Sequence, residues 1–374
     1  MLRVQSGSVE ISGLAIRNGL VGATYWNGGG ILNEGSLTLN DCVVSGNRST
    51  GEYTRGTGVF NAPEATLMAN RCVIANNAGG GEYSEGGGLY VFGDVSLNDS
   101  TVSGNSGGGF YSRGGGMHVD YFGTGHVARC TFSDNSVAGA NAQGGGIYNY
   151  GTLGIINSTL SGNRSGGSGG GMHVDALSLG TAIRNCTISG NTAPEGAGIF
   201  NNGFEPGHPA NVTVRDSIVA GNPFQDIANS GVLTSAGYNL FGLASGNTII
   251  PSAGDQFGLT AAALKLGPLA DNGGPTPTRA LLTGSPAIDA GNETDFLATD
   301  QRGVPRPFGP RADIGAFEGA QPPPTNLPPT ISIITPRDGD TFTAPANISL
   351  LASVQDEDGL AAEATVEFFD GANR

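Results

Sequence analysis

Two near copies of one short run, Met117-His-Val-Asp120 and Met172-His-Val-Asp175, hold the residues of this chain best suited to chemistry. A pair of carboxylates can act as general acid and general base on a glycosidic bond. An imidazole beside each can relay a proton. Tyr148 and Tyr150 stand between the two copies, and Tyr90 and Phe200 occupy matching places on either side. Aromatic rings can stack on the apolar side of a sugar while carboxylates bond its hydroxyls. Two functional uses follow. One is catalysis by Asp120, Asp175, His118 and His173. The other is saccharide binding across Tyr90, His118, Asp120, Tyr148, Tyr150, His173, Asp175 and Phe200. A third use is structural, because rings at one position of successive strands stack on each other and stiffen the sheet. The structural use is the stronger reading, since nothing in the sequence raises the pKa of one acid relative to the other.

The elements that position these residues come from a repeat. A run of the form Gly-Gly-Gly, then an aliphatic residue, a ring or leucine, and Asn or Val begins at Gly28, Gly56, Gly86, Gly114, Gly144, Gly169 and Gly196. The units close at Asn47, Asn77, Asn105, Asn135, Asn163, Asn191 and Asn222, spaced 28 to 31 residues apart. A fixed period in this range means stacked units that cannot bury an apolar face alone. Within each unit the apolar residues alternate, as in Leu37 and Leu39 or Val95 and Leu97, so the elements are strands. Three strands and three turns per unit predict an all-β, right-handed parallel β-helix. Seven coils at about 4.8 Å each give a rod of roughly 34 Å. Val9–Gly19 reads as an earlier, less regular coil.

Stacking turns repeat positions into columns. If the aliphatic residue after each glycine run points inward, the next points outward, giving Leu32, Phe60, Tyr90, His118, Tyr148, His173 and Phe200. Asp120 and Asp175 would then lie roughly 9.6 Å apart, at the long edge for an inverting glycosidase. The closing asparagines predict a ladder of side-chain amides. Calcium is the one ion such turns could attract, but no position supplies the several carboxylates it prefers, and no metal or other cofactor is expected. Cys42, Cys72, Cys130 and Cys186 share a position that is serine in other units. They read as small buried side chains. Only Cys42 and Cys72 are in adjacent coils, and parallel stacking gives poor disulfide geometry.

Composition narrows the classes of partner. Glycine is 65 of 374 residues, yet the strict apolar register argues against a flexible chain. The formal charge is −15, with Lys265 the only lysine, which disfavours nucleic acid and anionic membranes. No apolar run is long enough to insert in a bilayer. Lys265 lies outside the repeats, where it could not serve as a lyase base there. His126 and His208 read as exposed residues in insertions. No secretory signal is seen at Met1-Leu2-Arg3, so the chain is expected to begin inside a longer product.

Past Asn222 the repeat dissolves. Residues 223–320 read as degenerate coils followed by a cap over the open end of the rod. Leu266–Leu282, Gly284-Ser-Pro-Ala-Ile-Asp-Ala-Gly291, Thr299-Asp-Gln-Arg-Gly-Val-Pro-Arg306 and Asp313-Ile-Gly-Ala-Phe-Glu318 resemble the choice-of-anchor Q domain of bacterial surface proteins. The upstream repeats resemble the polymorphic outer-membrane-protein type. The resemblance implies an extracellular or cell-surface (outer membrane) bacterial protein. Asp289, Asp300, Arg302, Arg306 and Asp313 are expected to form ion pairs and turn caps, with catalysis the alternative. Pro322–Pro329 reads as a stiff linker. Residues 330–374 alternate as strands and resemble the first part of a bacterial Ig-like domain, since about 45 residues cannot complete a sandwich of about 100.

The expected function is a non-enzymatic surface stalk or adhesin-like protein, with extracellular polysaccharide or cell-surface glycan as its partner. The alternative is a polysaccharide-active lyase or hydrolase, since β-helices host such enzymes.

Overall fold

The computed structural model describes residues 1–22, 27–203 and 210–319, together with 330–337, 339–341, 343 and 351–355. Three parallel sheets run the length of the rod, with ten, nine and nine strands. In the second repeat unit their strands are Val59–Asn61, Thr66–Asn70 and Val73–Ala75. Pairing is in register from coil to coil, as in Val59 with Leu89, Phe60 with Tyr90 and Asn61 with Val91. The early coil is present as Leu2–Val4, Ser8–Ser12 and Ala15–Arg17, each paired with the first repeat unit.

The alternation has the expected effect. Ile31, Val59, Leu89, Met117, Ile147, Met172 and Ile199 are fully buried in one continuous core. The glycine that opens each unit sits at positive φ, 69° at Gly144. A Cβ there would approach the Ile147 carbonyl oxygen to 2.4 Å, so no side chain fits the turn. In the repeat units a second corner, between the second and third strands, is made without glycine. Asp41, Arg71, Asp99, Arg129, Asn157, Asn185 and Asp216 all adopt positive φ there. Arg71 and Arg129 bridge to the aspartate one coil back, at 2.7 and 2.6 Å.

The seven closing asparagines form one buried column. Each Nδ2 donates to the Oδ1 of the next, at 2.8 Å from Asn47 to Asn77 and 3.0 Å from Asn191 to Asn222. Each also donates to a backbone carbonyl, as from Asn77 to Val44 at 3.0 Å. Asp226 ends the column by accepting from Asn222 at 2.9 Å. Cys42, Cys72, Cys130 and Cys186 are buried free thiols. The serines of that column close the same contacts, as when the Cys130 amide donates to Ser158 Oγ at 3.0 Å.

Two features differ from the sequence reading. A fourth, narrow ladder follows the asparagine turn, in strands such as Arg48–Ser49, Ala78–Gly79 and Ser106–Gly107. Past Asn222, where the sequence reading placed degenerate coils, coiling runs through Ile227–Asn229, Val232–Ser235, Leu240–Phe241 and Ala244–Gly246. The sequence motif fades there, but Ile227, Leu233 and Phe241 still point inward.

The second difference concerns residues 261–319. They lie along the flank of the third sheet, where a cap over the rod end was expected. Asn157 donates to the Thr299 carbonyl at 2.8 Å, and Thr159 to Gln301 Oε1 at 2.6 Å. Gln301 Nε2 in turn reaches Thr131 and Thr276 hydroxyls, both at 2.9 Å. The outward face of the third sheet carries threonine and serine at Thr131, Ser133, Thr159, Ser161, Thr187 and Ser189, all buried. That polar face gives the flanking segment partners, which a bare apolar rod end would not. Apolar contacts close the seam between Ile218, Leu240, Leu264, Leu281, Ile314 and Phe317.

The segment is itself held by buried ion pairs. Arg302 meets Asp300 at 2.7 Å, and Arg306 meets Glu318 at 2.9 Å, all four side chains being buried. Arg306 also donates to the Asp313 and Gly315 carbonyls, and Arg302 lies 3.6 Å over the Phe317 ring. Asp313 accepts the Asp289 amide at 2.7 Å. Of the Ig-like part, Thr330–Thr335 pairs antiparallel with Leu351–Gln355. The Pro322–Pro329 linker, the start of the second Ig strand and the third at 364–369 fall outside the described residues.

Two variants test this account. Ile147→Asp buries an unpaired charge between coils and should prevent folding of the rod. Arg306→Ala strands Glu318 in the flanking segment and should cost about 3–5 kcal/mol there. Limited proteolysis should then cut within 261–319 while 27–203 stays protected. Cleavage spread evenly over both would show that the segment is not a separate buttress.

Candidate functional site

The ring column forms, but it is not an exposed platform. Phe60, Tyr90, His118, Tyr148, His173 and Phe200 stack in one file, with centroids 5.4, 4.7, 4.8, 5.2 and 4.9 Å apart. Tyr90, His118, Tyr148 and His173 are at most 2% exposed. Phe200, Tyr150, Asp120 and Asp175 are half-buried. The expected open binding face is therefore corrected, for two physical reasons. Each ring spends its faces on the rings above and below. A second column then lies over them, made of the residue before each glycine run: Arg55, Glu85, Arg113, Gln143, Ser168 and Glu195. The Arg55 guanidinium sits 5.2 Å from the Tyr90 centroid, and Arg113 5.1 Å from Tyr148. Arg55 pairs with Glu85 at 2.9 Å, and Arg113 donates to Gln143 at 3.1 Å.

The two aspartates are likewise committed. Tyr148 Oη donates to Asp175 Oδ2 at 2.6 Å, and Tyr90 Oη donates to Asp120 Oδ2. The second oxygen of each carboxylate caps a turn, through Tyr121 N at 2.7 Å and Leu177 N at 3.2 Å. Burial holds His118 and His173 far below the ordinary imidazole range, at about 3. Asp120 and Asp175 favour the charged ring, but desolvation outweighs them. A histidine so hard to protonate is a poor general base at neutral pH. His173 Nδ1 is 2.9 Å from Ser168 Oγ, while His118 Nδ1 and His173 Nε2 are buried without a protein partner. Burial also raises the tyrosine hydroxyls, strongly at Tyr148.

His126 is exposed, but in the strand Thr124–Ala128 and not in an insertion. His208 lies outside the described residues. No cluster of three or more His, Cys, Asp or Glu among the described residues could hold a metal ion.

Sequence reasoning missed a second aromatic file. Tyr53, Tyr83 and Tyr111 stack at 4.6 and 5.1 Å, nearly parallel, on the outer loops after the asparagine turn. Tyr53 and Tyr111 are exposed. The signal was present, because each tyrosine stands six residues after its closing asparagine. The file stops at Tyr111, because the next loop, of the same length, carries Asn141 at the matching place, and the loops shorten only later. Four successive units have nine residues from the closing asparagine to the next glycine run, and then Asn163 to Gly169 has six and Asn191 to Gly196 five. The loops drop at that step and leave a cleft of about 520 Å³ lined by Tyr111, Arg113, Gln143, Ser168 and Glu195 among others.

A regular parallel coil with self-stacked polar and aromatic columns defines a right-handed β-helix protein. The chain belongs to the right-handed beta helix region family, which it matches over residues 57–252, more than half its length. Residues 329–374 match the bacterial Ig domain family. No curated protein and no solved structure matches the chain.

The histidines set a pH dependence. Their folded pKa lies below the unfolded value of about 6.5, so the unfolded chain binds more protons between these limits. Their contribution is intact above pH 6.5 and declines as pH falls toward 3. At pH 4.5 each should cost roughly 2–3 kcal/mol relative to pH 7.5. His118→Phe with His173→Phe should keep the stack and remove that share of acid sensitivity in denaturant titrations. An unchanged pH dependence would mean the imidazoles charge freely in the folded rod.

Proposed function

We propose that this chain is a rigid, non-enzymatic spacer of a bacterial cell-surface protein, holding a further module away from its attachment point. The observation that carries the reading is the unbroken in-register pairing of all three sheets, from Leu2–Val4 to Ala244–Gly246 in the first. A coil fixed by main-chain bonds and buried side-chain ladders resists bending. An Ig-type domain beyond the rod fits the modular build of surface proteins. The resemblance of Gly284–Gly291, Thr299–Arg306 and Asp313–Glu318 to a choice-of-anchor Q block, and of the repeats to polymorphic outer-membrane proteins, supports display outside the cell. In this reading the flanking segment stiffens the later coils of the rod.

The rival reading, a polysaccharide lyase or hydrolase, would need Asp120 and Asp175 free. Their bonds to Tyr90 and Tyr148 weigh against it.

Protease shaving of intact cells of the source bacterium tests the display. Rod peptides from residues 27–203 should be released, or become antibody-accessible, without lysis. Their appearance only after lysis would end the surface reading. Release of reducing or unsaturated sugar ends from polysaccharide by the purified protein would end the non-enzymatic one.

A further inference from the structure

Among the described residues, the tyrosine file ends at Tyr111, beside the hollow left where the later loops shorten. Along the first two loops of the file the rings are already engaged. Tyr53 and Tyr83 are stacked, and the Arg55–Glu85–Arg113–Gln143 column lids the inner rings. Within a parallel stack a ring offers only its edge to solvent, so Tyr83 cannot take a flat ligand. Tyr111 differs: Tyr83 covers one of its sides at 5.1 Å, Phe110 packs against it in a T-shaped contact at 4.9 Å, and no tyrosine follows, because the next loop carries Asn141 at the matching place. Tyr111 is 40% exposed and lines the cleft.

The floor is built from small residues. Gly166, Gly167 and Ser168 replace the longer loop of the preceding unit. Ser168 is fixed by its 2.9 Å contact with buried His173. Arg113 is fixed by Tyr148, Glu85 and Gln143. Gln143 uses Oε1 on Arg113, which leaves its Nε2 to donate. Exposed Glu195 supplies an acceptor on the far side. A volume of about 520 Å³ is within the range of small-ligand sites.

The hollow does not end there. It shares Gly166 and Pro194 with a second furrow of about 500 Å³, whose other wall includes Phe224. Phe224 is 78% exposed and adopts φ 70°, an unusual backbone state for a bulky residue. Tyr111 thus lines one and Phe224 the other of two adjoining furrows, the first more polar and the second more apolar, which together make a trough.

We propose that this trough binds a short neutral oligosaccharide, with one sugar against Tyr111 and another against Phe224. Rings at the ends match the apolar sides of pyranoses, and Arg113, Gln143, Ser168 and Glu195 match their hydroxyls. The ligand is neutral because Arg113 already faces Glu85 at 3.8 Å and Glu195 adds a further negative charge. The chain's net charge of −15 disfavours acidic glycans as well. The inference is independent of the spacer reading: cell shaving tests display, and the binding experiment tests the trough.

The probe is an array of neutral hexose and N-acetylhexosamine oligomers beside uronate- and sialate-bearing ones, applied to the full chain. Hits are then titrated calorimetrically against three folded variants, matched by circular dichroism and melting temperature. Tyr111→Ala and Phe224→Ala should each weaken a neutral oligomer at least tenfold. Tyr53→Ala, at the far end of the same tyrosine file, should leave affinity within twofold. Absence of any neutral hit, binding confined to acidic glycans, or equal affinity in wild type and Tyr111→Ala would each overturn the proposal. Equal loss in Tyr53→Ala would overturn it too, since that would trace binding to the file and not to the trough.

Discussion

Every residue of a coil lies directly above its counterpart in the next, at about the spacing of paired strands. This one constraint governs the rest of the molecule. A side chain must be compatible with a copy of itself, or alternate with a complement. Asparagine satisfies the first condition because its amide both donates and accepts, so Asn47 through Asn222 can be bonded at every step while fully buried. A shorter inner file uses the same logic where Asn33 meets Asn61 and Asn201 meets Asn229. Charged residues obey the second condition. Arg55 follows Asn27 and precedes Glu85, and Asp41, Arg71, Asp99 and Arg129 alternate at the αL corner. Like charges at those positions would repel at every coil.

The fold was legible because the constraint writes itself into the period. The glycine runs, the inward aliphatic residues and the asparagine stops each recur at one place in the unit, and each landed in a single column. Side-chain direction was legible too, down to the outward file from Leu32 to Phe200. What could not be read was whether outward meant exposed. That depended on Arg55, Arg113 and Gln143, which precede the glycine runs and show no apolar rhythm. Their shared position becomes visible only once the coils are stacked, when guanidinium planes settle over the rings.

The placement of residues 261–319 has a similar cause. Their turn-rich sequence shows that they do not coil, and its Asp and Arg residues suggest a self-contained network, which the Arg302–Asp300 and Arg306–Glu318 pairs supply. Sequence cannot say which surface such a block will meet. On a sheet with one free face, outward residues such as Thr131, Thr159 and Thr187 would meet solvent. Instead they receive Pro277, Gln301 and Ala316 in a buried polar seam. Earlier coils show Val43, Val73 and Thr101 at those places, less able to offer bonds on every step. The docking position thus follows the hydroxyls along the sheet.

The same stacking rule limits where a rod of this kind can do chemistry or binding. A regular column consumes its own functional groups. Rings cover rings, amides bond amides, and carboxylates such as Asp175 are claimed by the hydroxyl one coil away. Function must therefore collect at irregularities, where a column ends or a loop changes length and a group loses the neighbour that would have satisfied it. In this chain the loop shortens after Asn163, Tyr111 ends its file, and Ser168 takes the place of a longer lid residue. A search for sites in a β-helix is better directed at breaks in the period than at its most repeated residues.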